Sequence, residues 1–147
     1  MAQVKAVPDG LQTVTPFLNI KNAAEAIELY KKAFGAEVRE SYSNPDGKIM
    51  MCELQIGTSV VRVSDAIKDA PTQSGLSLYV ENADAWWQRA IDAGLEVVMP
   101  LQDMFWGDRF GAVRDPFGNM WSIATHIEDV SHEEGLRRAA AHAMKSK

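Results

Sequence analysis

Short stretches of this chain alternate apolar and polar residues, and the longer stretches between them carry apolar residues at helical spacing. Alternation over residues 14–20 predicts a strand with Thr15, Phe17 and Asn19 on one face. Three more strands are predicted in the first half, each bounded by turn residues, at 36–41, 48–54 and 58–64. With one helix after the first strand, this half has the order βαβββ.

The predicted helices carry recognisable end signals. In the first half, Asn22 and Glu25 form a capping-box pattern, and Gly35 is a typical helix stop. A last helix is predicted to begin after Ser131, which forms a capping pattern with Glu134. This helix has no counterpart in the first half. We expect it to pack on the body of the protein or on a partner subunit.

The second half repeats the first at a spacing of about 60 residues. Residues 20–23 (IKNA) match 80–83 (VENA), and 35–38 (GAEV) match 94–97 (GLEV). The predicted elements are strands at 76–80, 96–99, 109–114 and 120–126 and a helix at 83–93, with a long connection at 100–108. We therefore expect an α+β fold of tandem βαβββ modules, at about 14–65 and 74–126, joined by a linker at 66–74. The modules belong to a domain at 11–128, between a lead at 1–10 and a C-terminal helix at 129–147.

Composition excludes several classes of function. The 147 residues are 46% hydrophobic and 24% charged, which is typical of one soluble globular domain. A net charge of -5 and the lack of a basic run argue against nucleic acid or an anionic membrane as partner. The first ten residues show no signal-peptide pattern, and the single cysteine, Cys52, cannot form an internal disulfide. We expect a cytoplasmic protein.

Three motifs carry a resemblance to a known group. The first helix opens with N-A-x-x-A, residues 106–109 read WGDR, and residues 115–126 read DPFGNMWSIATH. Together with the repeat, these resemble the vicinal oxygen chelate superfamily of glyoxalase I, bleomycin-resistance proteins and extradiol dioxygenases, and within it the PhnB-like glyoxalase branch. The resemblance covers about residues 12–128. It implies two curved sheets that form a cleft, and a homodimer.

Metal-using members of that superfamily place ligands in the first and last strands of each half. The resemblance puts these four positions at Thr15, Gly75, Val61 and Ser122. None of these residues is a competent ligand for a divalent ion. We therefore predict that the usual metal site is absent, and we expect no cofactor. Residues 126–134 (HIEDVSHEE) are the densest run of ligand types, so His126 and His132 could bind a metal, although acids before a helix usually favour its N-terminus.

Two charged residues are candidates for catalysis. Glu53 and Arg114 are assigned to equivalent third-strand positions of the two halves. They could form an oppositely charged pair on the cleft floor that orients a substrate or acts as acid and base. Alternatively, they belong to exposed edge-strand salt bridges worth about 0–1 kcal/mol.

The long connection supplies candidates for binding. Trp106 could cover a planar ligand and Arg109 could bind an anionic group, although a tryptophan of this kind often only fills a gap in the core. Strand alternation adds further positions on the cleft face. The predicted ligand-binding set is Thr15, Phe17, Asn19, Tyr79, Trp106, Arg109 and Ser122.

Three functions fit these patterns. The first is a metal-free protein that binds a small, aromatic or amphipathic organic molecule in the cleft. The second is an atypical lyase, isomerase or transferase that uses Glu53, Arg114 or Arg109 in place of a metal. The third is an interaction module whose cleft is filled by its own side chains.

Overall fold

The computed structural model describes residues 4–66 and 71–145 of the chain. They fall into two compact units, with the boundary between Ser74 and Gly75. Residues 67–70, which belong to the predicted linker, lie outside the described residues, as do 1–3 and 146–147.

The first unit is one four-stranded sheet with one helix. Its elements are β1 (Phe17–Ile20), α1 (Ala23–Phe34), β2 (Glu37–Ser43), β3 (Ile49–Ile56) and β4 (Ser59–Asp65). The strand order is β1-β4-β3-β2, with β1 parallel to β4 and the other pairs antiparallel. Leu18 and Ile20 of β1 are buried together with Tyr30 and Phe34 of α1, so the helix covers one face of this sheet.

The second unit repeats this arrangement and adds a helix. Its elements are β5 (Gly75–Tyr79), α2 (Ala83–Asp92), β6 (Glu96–Asp103), β7 (Asp108–Arg114), β8 (Met120–His126) and α3 (His132–Lys145). The strand order β5-β8-β7-β6 matches that of the first unit position for position. The predicted α+β fold of two βαβββ modules is therefore confirmed.

In both units, a side chain at the end of the last strand accepts the first N–H of the helix, α1 or α2. For α1, this corrects the predicted capping box. The Asn22 side chain makes no capping hydrogen bond to the backbone and donates to Glu25 at 2.8 Å instead. The N–H of Ala23 is accepted by the Asp65 carboxylate at 3.1 Å. Since the last strand already supplies this acceptor, Asn22 is not needed as one.

The equivalent position in the second unit confirms this pattern. Thr125 Oγ1 accepts the N–H of Ala83 at 2.8 Å, just as Asp65 does for α1. Asn82, unlike Asn22, also accepts the N–H of Ala85 at 3.1 Å. The predicted cap of the last helix is observed as well, because Glu134 N–H donates to Ser131 Oγ at 3.1 Å.

Strand β6 is longer than predicted. It runs to Asp103 through Pro100, where the sequence had indicated a loop. The proline is tolerated because β6 is an edge strand and the pairing slips between Met99 and Gln102.

Candidate functional site

The sheet of each unit has one face covered by a helix, α1 or α2, and an opposite face, which we call the open face. Three contacts mark the covered face: Thr125 with the start of α2, Arg109 with Asp84, and Gly111 beside the Trp87 ring. Because side chains alternate along a strand, the residues between these positions point the other way. The open face therefore carries Tyr79, Asp108, Phe110, Ala112, Ser122, Ala124 and His126.

A buried carboxylate organises one end of the open face. Asp108 is only 2% exposed and accepts hydrogen bonds from three side chains. Tyr79 Oη and Trp106 Nε1 donate to its Oδ2 at 2.6 and 2.9 Å, and His126 Nδ1 lies 2.8 Å from its Oδ1. The first residue of β7 thus holds together the ends of β5 and β8 and the loop before β7.

These hydrogen bonds determine the protonation states of Asp108 and Tyr79. Burial alone would raise the pKa of Asp108, but the hydrogen bonds from Tyr79, His126 and Trp106 outweigh it and lower that pKa. The bond to Asp108 also raises the pKa of the Tyr79 phenol, with burial adding to the effect. At neutral pH the carboxylate is ionised and the phenol is protonated.

His126 lies between two carboxylates. Its Nδ1 faces the buried Asp108, and its Nε2 is 2.7 Å from Asp129, whose side chain is fully exposed. The hydrogen bonds to Asp108 and Asp129 raise the pKa of the imidazole above its usual value of 6.5. With an acceptor at both ring nitrogens, this geometry fits the imidazolium form, in which both nitrogens carry a proton.

Aromatic rings adjoin this network. Trp106, 36% exposed, makes edge-to-face contacts with Phe105 and Phe110 at centroid distances of 5.1 and 5.3 Å. The ring of Tyr79 is 66% exposed on the edge strand β5. The open face therefore offers apolar ring surface beside polar groups whose orientation is fixed.

An open pocket of about 450 Å³ lies at this end of the unit. It is lined by Tyr79, Val80, Glu81, Thr125 and His126. This volume is sufficient for a small organic molecule. Two members of the Asp108 network, Tyr79 and His126, thus belong to the pocket wall.

Arg109 pairs with Thr125 but is not among the residues that line this pocket. Its guanidinium is on the covered face, where Nε and Nη2 bind both oxygens of Asp84 at 2.9–3.3 Å and Nη1 binds Asp103 at 3.1 Å. Of the predicted binding residues in this unit, Tyr79 and Trp106 are brought together at Asp108. Ser122 lies farther along β8, opposite Ala112, on the same open face.

Glu53 belongs to an ion-pair cluster within the first unit. Its carboxylate is nearly buried, and its Oε2 accepts from Arg62 Nε and Nη2 at 3.0 and 2.8 Å. Arg39 Nη1 lies 3.8 Å from its Oε1.

The strand register corrects the assumed equivalence of Glu53 and Arg114. Glu53 is opposite Arg62, and the position matching Arg62 in the second unit is Ser122, which is opposite Ala112. Arg114 is two residues beyond Ala112, exposed, and across from Glu96. The error came from aligning β3 and β7 by their turns, which differ in length.

The remaining predicted residues lie at the edge of the first unit. Thr15 precedes β1, and Phe17 is 43% exposed on that strand. Asn19 Oδ1 accepts from Ser64 Oγ at 2.9 Å, and the Asn19 backbone pairs with Thr72. These residues share one sheet edge, and their role in binding stays a prediction.

The four positions that the resemblance assigned to metal ligands carry no carboxylate, imidazole or thiolate. Val61 is buried on the covered face with Leu54, so the true counterpart of Ser122 is Arg62. A guanidinium cannot coordinate a cation, and Ser122 and Gly75 add no anionic donor. Within residues 4–66 and 71–145, no group of three His, Cys, Asp or Glu is arranged to hold a metal ion, and this includes the neighbourhood of His126 and His132.

Sequence reasoning missed the two residues that dominate the sites, Asp108 and Arg62. In the sequence, Asp108 stands out only as a neighbour of Trp106 in the WGDR motif. Its other two partners, His126 and Tyr79, are 18 and 29 positions away. A signal existed: in an alternating strand, Asp108 occupies the same face as Phe110 and Ala112. An acid on an otherwise apolar face requires partners.

The chain resembles known proteins over most of its length. The family model described as Glyoxalase/Bleomycin resistance protein/Dioxygenase superfamily matches residues 10–123. The uncharacterized protein Rv0887c of Mycobacterium tuberculosis is 37% identical in a 133-residue alignment that covers 82% of this chain and 78% of that protein.

Two solved structures show the same fold. TioX from Micromonospora sp. ML1 is 24% identical with a TM-score of 0.69, covering 79% of this chain and 99% of its own. TnmS3, described as an antibiotic binding protein from Streptomyces sp. CB03234, is 18% identical with a TM-score of 0.63, covering 86% and 99%. At such identities the likeness concerns the fold alone.

Proposed function

The chain belongs to the glyoxalase/bleomycin resistance protein/dioxygenase superfamily, and we propose that it binds a small organic molecule, without a metal ion, at the end of its second unit where Tyr79, Asp108 and His126 meet. The observation that carries the proposal is the group formed by Tyr79, Trp106 and His126 around Asp108, beside a pocket of about 450 Å³. Apolar rings with a few fixed polar groups are typical of sites for small organic ligands.

The donor set supports a metal-free mode of binding. Where metal-using relatives would have ligands, this chain has Arg62 and Ser122 in its two last strands. Arg62 is held by Glu53, so this position presents a cation of its own. Neither side chain offers an anionic donor to a divalent ion.

A comparison adds to the proposal. TnmS3 shares the fold and is described as an antibiotic binding protein. By analogy with this class, the ligand of the present chain would be an aromatic or amphipathic compound that is captured reversibly.

Partners and location complete the proposal. We infer that the protein is a homodimer and that it works in the cytoplasm. Its partner is the small molecule, and it binds neither nucleic acid nor a membrane. In the described part of the chain, none of the helices combines the length and apolar character needed to cross a membrane.

A thermal-shift screen with a panel of small aromatic and amphipathic compounds tests the binding. Compounds that raise the melting temperature of the native protein should raise it much less in Trp106→Ala. Leu136→Ala, a change at an exposed position of α3, is the matched control and should respond like the native protein. Equal shifts in all three proteins would refute a site beside Trp106.

An atypical lyase, isomerase or transferase is the second candidate. It is favoured by one observation, the near-burial of the Glu53 carboxylate beside Arg62. On this alternative, Glu53→Gln abolishes the turnover of any substrate that the screen identifies. The binding proposal predicts instead that no compound is turned over.

A further inference from the structure

We propose that the pocket between Tyr79 and His126 selects organic anions, with the His126 imidazolium donating from Nε2 to a carboxylate or phenolate oxygen of the ligand. The inference rests on the proposed function, because it names the chemical class of the molecule bound at that site. It follows from the geometry of His126, from the exposure of its second partner and from the lining of the pocket.

The two partners of His126 differ in how firmly they are held. Asp108 is 2% exposed and also bound by Tyr79 and Trp106, so the bond to Nδ1 is a fixed part of the fold. Asp129 is fully exposed after the end of β8, and water competes for its bond to Nε2. A ligand oxygen can therefore replace Asp129 without disturbing Asp108.

His126 bonds Asp108 and Asp129 through different ring nitrogens, Nδ1 and Nε2. Asp108 fixes the ring orientation through Nδ1, which leaves Nε2 as the nitrogen available to a ligand. His126 is itself a lining residue of the pocket, next to Thr125 and across from Tyr79. The exposed Tyr79 ring provides the apolar wall against which an aromatic ligand packs.

The charges around His126 determine whether an anion is attracted or repelled. His126 is bonded to Asp108 on β7 and to Asp129 in the segment after β8, and it lines the pocket together with the neutral phenol of Tyr79 on β5 and Glu81 just after β5. Asp108 is compensated by its three donors, whereas Glu81 and Asp129 are exposed and screened by water. A charge-assisted hydrogen bond at short range outweighs such screened repulsion.

The preference must depend on pH. His126 carries its charge below its raised pKa, so anion binding is strong there and weakens as the pH rises through that value.

Three probes with the same ring system but different charge test the inference: 1-naphthoate, the neutral 1-naphthamide and the cationic 1-naphthylmethylamine. Isothermal titration of the full-length protein should give an affinity for naphthoate about tenfold above that for the other two at about pH 6. At about pH 9 the preference should disappear. His126→Gln, which keeps a donor but cannot be charged, should abolish the preference at both pH values.

Asp129→Asn provides a test that does not rely on loss of function. Removing the competing carboxylate should tighten naphthoate binding by about two- to fivefold. The matched control is Glu96→Gln, which removes the same charge at the opposite end of the sheet, across from Arg114, and should leave the affinity unchanged.

Tighter binding of the amine than of naphthoate would overturn the inference and identify Glu81 and Asp129 as the recognition groups. Weaker naphthoate binding in Asp129→Asn would overturn it as well. If the three probes fail but a compound of the screening panel binds in a Trp106-dependent way, the anion preference is wrong and the proposed function stands. If no compound binds at all, the proposed function itself has failed.

Discussion

At the scale of single residues, Asp108 is the most consequential side chain of the second unit. It is a buried charge, and such charges are tolerated only when every oxygen has partners. Tyr79, Trp106 and His126 provide them from three separate elements. The same residue therefore stabilises the fold and orients the pocket wall.

Asp108→Asn should destabilise the protein by about 2 kcal/mol, because an amide group cannot accept three hydrogen bonds and loses the charge that attracts His126. Urea denaturation measures the free energy of unfolding. The control is Asp129→Asn, whose side chain is fully exposed and whose loss should have little effect. Equal stabilities of the two variants would contradict the role given to Asp108.

The stability of the protein should also depend on the state of His126. Its pKa is raised in the folded protein, so it contributes stability that is fully present below the usual pKa of 6.5 and is lost as the pH rises through the raised value. Melting temperatures of the native protein and of His126→Gln should therefore converge with rising pH across this range. Parallel curves would show that His126 does not gain its proton affinity from folding.

Predictions for single residues succeeded where they depend on one strand only, as for the side chains that share a face. Alternation correctly grouped Phe17 with Asn19, because it depends only on neighbours within β1, whereas Thr15 precedes the strand. It misassigned Val61 by one position and did not reveal the partners of Glu53. Those partners, Arg62 and Arg39, are fixed by the register between strands, which the sequence of one strand does not contain.

At the scale of elements, the two units anchor the start of their helices with different side chains. The first N–H of α1 is accepted by Asp65 and that of α2 by Thr125, each from the end of the last strand. The helices of both units are thus tied directly to the strand beside them. The sequence predicted both helix starts but assigned the capping of α1 to Asn22, because local patterns cannot show a partner 42 positions away.

This difference predicts unequal effects at matching asparagines. Asn82→Ala should cost about 1 kcal/mol, because its side chain accepts the N–H of Ala85. Asn22→Ala should cost much less, since the Asn22 side chain donates to Glu25 and makes no capping hydrogen bond. Chemical denaturation of the two variants gives the comparison, and a larger loss for Asn22→Ala would contradict the capping scheme.

Gly111 of β7 is required by the packing of α2 on its sheet. A Cβ at this position would lie 2.6 Å from the Trp87 ring and 3.0 Å from the Leu101 backbone. We expect Gly111→Ala to destabilise the protein by about 1–3 kcal/mol through overpacking. Gly135→Ala in α3 is the control: its new methyl group meets nothing closer than 3.8 Å, and helix propensity favours alanine, so stability should not fall.

At the scale of the whole molecule, the internal repeat preserves the scaffold and varies the chemistry. Both units keep the same strand order, the same register and the same helix anchoring. Their open faces differ, with Glu53 and Arg62 on one and Asp108 and His126 on the other. The superfamily assignment rests on the family model that matches residues 10–123, whereas function must be sought in these two different clusters.

The fold was predictable from the sequence because the repeat presents the same apolar pattern twice, so each half supports the reading of the other. The candidate site was predictable only in part. Tyr79 and Trp106 were identified individually, but the residue that joins them, Asp108, depends on contacts between β5, β7 and the loop before β7.

Native mass spectrometry of the freshly purified full-length protein decides most directly between an organic ligand and a metal ion. We predict that the protein carries no stoichiometric divalent ion, that it releases or takes up a small organic molecule with one site per chain, and that its mass corresponds to a homodimer. A tightly bound divalent ion at one per chain, lost together with all binding of organic molecules when a chelator is added, would contradict the metal-free site around Asp108 and His126.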